Sequence, residues 1–359
     1  MKNDTHAALK AMMITLLGFT LIGCGSSSTP KNNTAKDEFI SLDKRATYEN
    51  GYLEIDGKKT TLHYSSFLGV LKNNTPTPLG IGLFSENTLS PLVIMSADEG
   101  SFLLPNFQSF TVKNDKTNEN YRCKDITIQE NESQVVKNYD TVLITGHNCI
   151  PNDINKPNKD VHIKLTESMI IGGASTLKIV NNKAYLNTTY TLADNLLVRG
   201  ALGTRAYNQI FDLIHNHPNV KTIVEQQVAG SKHDAINVQT GRLIRKYGLN
   251  IHLESTSQIA SGGVDLFLSG KKRTMESGAK IGVHSWARSD DDGKIDIQGF
   301  DLPKDSPLHV SEGGLQYIKE MLGDVIGEAF YFFAVYVAEA QDIHLMNDAE
   351  IEEYQLLTE

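Results

Sequence analysis

The 359-residue chain has no surplus of positive charge. It carries 34 Lys and Arg against 43 Asp and Glu, a formal net charge of -9. Without a basic reservoir, binding to nucleic acid phosphates or to anionic lipid by charge alone is excluded as a main activity. Long apolar runs are also missing, since AMMITLLGFTLIG, Ala11–Gly23, is short for a transmembrane helix. Cysteine is scarce, with three in all, and neither Cys123 nor Cys149 sits in a Gly-rich turn beside a histidine, which argues against a cysteine nucleophile. His63, His147 and His162 are scattered and have no metal-ligand spacing, which argues against a metal site there. What remains is an ordinary globular composition, 40% apolar and 21% charged, at a length that suits two domains.

Lys2 and Lys10 precede the Ala11–Gly23 run, which has the length of a signal-peptide core. It stops at Leu21-Ile22-Gly23-Cys24, which resembles the bacterial lipobox, in which the cysteine is acylated and becomes the new N-terminus. The resemblance implies export and a lipid anchor at Cys24. Gly25, and not Asp, follows the cysteine, which by the same resemblance favours the outer membrane, facing the periplasm. Residues 1–23 then form a lipoprotein signal peptide and 24–46 a flexible polar tether. Cys123 and Cys149 are left as an even pair, able to form a disulfide in an oxidising compartment or to remain two separate buried thiols.

Residues 47–174 alternate short apolar segments with Asn, Asp, Gly and Pro clusters, as in GYLEIDG and DVHIKL, and read as a mostly β domain. The pattern changes near Ser175. STLKIVNNKAYLNTTY reads as a hairpin around Asn181-Asn182, and TRAYNQIFDLIHNHP as a helix with Thr204 as N-cap. Further strands and helices alternate after it, so 175–359 reads as an α/β domain with parallel strands. Ser289–Pro307 reads as an exposed loop, and Gly313–Ala340 as one long helix. The segment MNDAEIEEYQLLTE reads as a short helix capped by Asn347 or Asp348.

Ser261 stands where a strand gives way to a helix, and the glycines after it allow close approach of a substrate. The turn lacks the G-x-S-x-G pattern. His284 follows on the next strand, where it could serve as base to a serine nucleophile. On the residues alone, a tight turn followed by a histidine satisfied in the core is the favoured reading.

The stretch IASGGVDLFLSGKKRTMESGAKIGVHSWA resembles the core of the Clp protease proteolytic subunit and the wider ClpP/crotonase-like superfamily. The likeness spans roughly Ser175 to the C-terminus and implies a repeated β-β-α core. It gives Ser261 the nucleophile role and His284 the base role, with Gly230 and Gly262 supplying oxyanion-hole N–H groups. Ala-Gly-Ser stands at 229–231 where the family has Pro-Gly-Gly, which puts the extended substrate-binding edge in doubt. The family's acid maps nearest to Asp342, with Asp305 and Asp348 as rivals. The related signal peptide peptidase branch uses a lysine base, for which Lys280 is the counterpart should His284 prove remote. Coenzyme A is not available outside the cytoplasm, which disfavours hydratase chemistry for an exported chain. The expectation is therefore a lipid-anchored serine hydrolase acting on a peptide or ester, a mechanism for which the resemblance implies no metal or organic cofactor. A catalytically inactive binding or scaffold lipoprotein is the alternative. Superfamily members assemble into trimers or larger rings, which implies self-association through the 313–340 helix.

Overall fold

The computed structural model describes residues 51–358 apart from 73–74, 86–89, 98–106, 115–118, 132–140, 167–172, 192–195, 290–294 and 312. Cys24, the signal peptide and the tether lie outside the described residues.

The first part is built from β1 (Gly51–Ile55), β2 (Lys58–Leu62), β3 (Tyr64–Lys72), β4 (Thr75–Phe84), β5 (Val93–Ala97), β6 (Phe107–Asn114), β7 (Glu119–Cys123), β8 (Asp125–Asn131), β9 (Thr141–Pro151) and β10 (Lys159–Thr166). Neighbours pair antiparallel. The β1–β2 hairpin turns on Asp56-Gly57, both at positive φ (51° and 73°), the conformation a two-residue hairpin loop demands. Alternation along β10 buries Val161, Ile163 and Leu165, and these pack with Leu62, Ile81, Phe110, Tyr121 and Ile144 into one core. A disulfide joins Cys123 at the end of β7 to Cys149 on β9, both fully buried.

The second part begins with β11 (Thr176–Val180) and β12 (Lys183–Asn187), a hairpin whose Asn181 and Asn182 adopt φ of 49° and 60°. The chain then leaves for β13 (Thr189–Thr191) and β14 (Leu196–Arg199), and β14 pairs with β3 of the first part. These two strands complete a twelve-stranded sheet of which β13 is one edge.

From there the order is α1 (Thr204–Asn216), β15 (Thr222–Glu225), β16 (Gln227–Val228), α2 (Asp234–Tyr247), β17 (Asn250–Leu253), β18 (Gln258–Ala260), α3 (Gly262–Leu268), β19 (Arg273–Met275) and β20 (Lys280–Val283). Each pair of strands splits between two sheets before the next helix. β12, β15, β17 and β19 run parallel in one, and β16, β18 and β20 run parallel in the other. This is a repeated β-β-α core, mixed α/β in class, preceded by a β-rich region. Its interior is filled by residues such as Ile210, Ile223, Leu243, Ile251, Phe267 and Ile281.

Beyond β20 come β21 (Ala287–Ser289), β22 (Ile295–Gln298), α4 (Leu308–Ser311), α5 (Leu315–Leu322), α6 (Asp324–Val337), β23 (His344–Leu345) and α7 (Asp348–Glu353). Three expectations change here. The stretch expected as an exposed loop holds β22, which pairs with β21 just before it, and Ile297 of β22 packs against the core. The long helix is two helices, broken at Gly323, whose φ of 87° no helix interior accommodates. Gly203, and not Thr204, is the N-cap of α1. Asn347 does cap α7, in a reciprocal capping box with Glu350. Among the described residues no helix is long and apolar enough to cross a membrane.

Candidate active site

The serine lies at the junction of two interlocking constraints. β18 pairs with β20 so that Ala260 faces Gly282, and the Ser261 N–H donates to the Gly282 carbonyl at 3.2 Å. The chain must then turn at once into α3, whose first N–H groups point back past the serine. Ser261 takes this turn at φ 52°, ψ −126°, a strained conformation for a residue with a Cβ. Gly262 is required for a packing reason. A Cβ there would lie 2.6 Å from the Ser231 Cβ and Oγ, so only glycine lets α3 seat against the turn that follows β16. The buried Asn237 of α2 donates from Nδ2 to the Gly262 carbonyl at 2.8 Å, pinning that peptide from below.

Gly230 approaches from the other side. A Cβ on it would sit 3.3 Å from the Ser261 Cβ and 3.6 Å from its Oγ, so the Gly230 backbone is the serine's immediate neighbour. Among the described residues nothing accepts a hydrogen bond from the N–H of Gly230 or of Gly262. Both of the expected oxyanion donors are therefore uncommitted beside the hydroxyl.

β20 ends at Val283, and His284 is the first residue beyond it, partly buried. Its Nδ1 lies 2.7 Å from the Ser285 carbonyl, which only a protonated nitrogen can satisfy. The neutral ring therefore carries its proton on Nδ1 and presents Nε2 as an acceptor. Burial holds the imidazole below its ordinary pKa, against the opposing effects of the Ser285 carbonyl and of Asp234. It is neutral at pH 7, the state a general base needs.

Ser261 and His284 line one cavity of about 90 Å³, and no hydrogen bond joins them in this structure. Hydrogen bonds of this kind are often long before substrate binds. The cavity wall is apolar, from Val238 on α2, Val264 on α3, and Phe330 and Val335 on α6.

The acid is where sequence and structure part. Asp342 is exposed in the turn before β23 and does not reach the cavity, and the orienting place at His284 Nδ1 is held by the Ser285 carbonyl. Asp305 and Asp348 are likewise exposed and outside the lining. Lys280 sits exposed at the opposite end of β20 from His284. The carboxylates that do line the cavity are Asp234 and Asp265. Asp234, at the start of α2, accepts from Ser231 Oγ at 2.7 Å. Asp265 is raised to about 7, first by burial and then by Asp234. Sequence reasoning missed both, since an acid in a helix's first turn reads as a partner of the helix dipole. Ser261 and Asp265 are four residues apart, the spacing that would have placed them on one face of α3. Lys232, buried and pushed down to about 7, lies outside the cavity lining. Among the described residues no three His, Cys, Asp or Glu side chains gather as a metal cluster.

No protein-family model matches the sequence, and no match is found among curated proteins. Solved structures similar to the chain include a protein assigned as an enoyl-CoA hydratase from Streptomyces avermitilis, at 12% identity and a TM-score of 0.32, covering 52% of this chain and 66% of that one. DspI of Pseudomonas aeruginosa is similar at 10% identity and a TM-score of 0.32, over 51% of this chain and 71% of that one. A membrane-bound stomatin-specific protease in complex with a substrate peptide is similar at 17% identity and a TM-score of 0.30, over 42% of this chain and 67% of that one. The match thus spans just under two thirds of the first of these chains. Both branches that the sequence resembles, hydratase-type and protease-type, stand among these likenesses, and at such TM-scores they assign no reaction, ligand or partner to this chain.

Proposed function

We propose that the chain is an exported, lipid-anchored serine hydrolase acting on a peptide or ester. The observation that carries this reading is the strained Ser261, set beside two uncommitted backbone N–H groups and sharing a cavity with a neutral His284. Strain at one non-glycine residue opposite free donors is how a nucleophile is aimed, and a plain turn has no use for it.

In the proposed reaction, Ser261 Oγ bonds to the substrate carbonyl carbon while its proton passes to His284 Nε2. The carbonyl oxygen becomes an oxyanion, held by the Gly230 and Gly262 N–H groups. The intermediate collapses with loss of the amine or alcohol, which takes the proton from His284. Water then adds to the acyl-serine by the same route and releases the acid. The Ser285 carbonyl, and not a carboxylate, fixes the ring tautomer.

The test is covalent labelling by a fluorophosphonate. Wild-type protein should be labelled at Ser261, Ser261→Ala should not, and His284→Ala should react at least a hundredfold more slowly. An unreactive wild type would favour the second reading, a binding lipoprotein that keeps the fold without catalysis, to which the missing Ser261–His284 hydrogen bond and the absent acid on Nδ1 lend support. For the anchor, the proposal is acylation of Cys24. Palmitate labelling in a bacterial host should be lost in Cys24→Ser and kept in wild type. Self-association through the helices after residue 313 is part of the same proposal, with sedimentation as its measure.

A further inference from the structure

The cavity beside Ser261 is apolar on its walls but acidic at two points, and the acids are not accounted for by the proposed reaction. Asp265 extends from α3 one turn beyond the serine; four residues at 1.5 Å each separate them by about 6 Å along the axis. Asp265 is partly buried, and among the described residues no donor hydrogen-bonds its carboxyl and no cation pairs with it. Asp234 stands close enough to raise its pKa. No lysine or arginine lines the cavity. The nearest arginines of α2 are engaged elsewhere: Arg245 donates to the carbonyls of Ser269, Leu268 and Met321, and Arg242 pairs with Glu320. Two neighbouring, partly desolvated carboxylates in one cleft repel each other, a cost that a bound cation removes.

We propose that this cavity is a recognition pocket for a cationic side chain, an ammonium or guanidinium at the end of a three- or four-carbon stem, held by Asp265 and Asp234 while its backbone carbonyl lies at Ser261. The dimensions agree. A lysine stem spans about the distance of one helical turn, and about 90 Å³ gives room for several water-sized groups. Val238, Val264 and Val335 would cover the methylenes, and the charge would end between the two acids. This inference names the substrate class of the proposed hydrolase and rests on that reading for its catalytic half, whereas the pocket itself can be tested without catalysis.

The test is calorimetric binding of benzamidine and its neutral isostere benzamide to the full-length chain. Benzamidine should bind wild type at least tenfold more tightly than benzamide does, and Asp265→Asn should remove most of that preference. Equal binding of the two compounds by wild type, or a preference unchanged in Asp265→Asn, would overturn the proposal. Should the variant fail to fold, the wild-type contrast still decides the matter. Fluorophosphonate labelling, run alongside with lysyl and norleucyl diphenyl phosphonates, separates the two readings. Labelling by fluorophosphonate with no lysyl preference and no benzamidine preference removes only the cationic pocket. No labelling with a clear benzamidine preference removes the hydrolase and leaves the pocket.

Discussion

At the scale of single residues, burial shifts several ionisable groups, and each shift makes a pH-dependent prediction with a definite sign. Glu225 of β15 is wholly buried and neither carboxyl oxygen has a hydrogen-bond partner. Burial raises its pKa well above the usual carboxylate range. An acid raised on folding takes up a proton as the chain folds, so its cost is absent below the unfolded pKa and grows as pH rises. Glu225→Met should therefore stabilise the protein by about 1–3 kcal/mol at pH 7, with the gain shrinking toward pH 4. Denaturant midpoints measured at both values would reveal it, and no gain at pH 7 would refute it. His284 has the opposite sign, since a base lowered on folding loses its proton. The labelling rate of Ser261 should decline as pH falls, with its midpoint below 6.5, through the depressed pKa of the imidazole. A decline centred above 6.5 would contradict the burial of that ring. Ser261 and His284 were singled out by the family resemblance of the stretch that holds them, since their spacing alone fits a plain turn and a core histidine. Asp234 and Asp265 were not, because what distinguishes them is a shared cavity, and a cavity has no sequence period.

Among elements, the turn at 261–263 is where packing and chemistry coincide. Gly262→Ala would bring a methyl group within 2.6 Å of Ser231, and one of the two backbones must move. We expect this variant to lose labelling at Ser261 before it loses its fold, with circular dichroism as the control. α7 offers a milder case, where Asn347→Ala removes one half of a capping box at a cost of about 1 kcal/mol. The parallel α/β alternation and the hairpin at Asn181-Asn182 were legible, since local turn chemistry and periodicity specify them. The break at Gly323 was hidden by an apolar stripe that runs on through it: Ile318 and Met321 before the break and Phe330 and Val335 after it face the same core. The β21–β22 hairpin escaped notice because it has little periodicity and owes its order to contact with the rest of the domain.

For the molecule as a whole, the disulfide and the path of the chain decide what holds together. Cys123 and Cys149 are 26 residues apart, and opening a loop of that size costs about 3 kcal/mol. The double variant to alanine should unfold at correspondingly lower denaturant, and an unchanged midpoint would show that the sheet alone holds those strands. Least legible of all was the return of β13 and β14 to the first sheet, since β14 meets β3 at Arg199 and Phe67, far apart in sequence. No local pattern encodes such a partner. That return also ties the large sheet to the serine's surroundings. Leu202, three residues past β14, donates from its N–H to the Gly230 carbonyl at 2.8 Å and accepts from the Lys232 N–H at 2.7 Å, while the Thr188 hydroxyl receives the Ala229 N–H at 3.1 Å. A strand added at β13, an edge of the large sheet among the described residues, would thus be joined through two short hydrogen-bonded links to the loop that carries Gly230, the neighbour of Ser261.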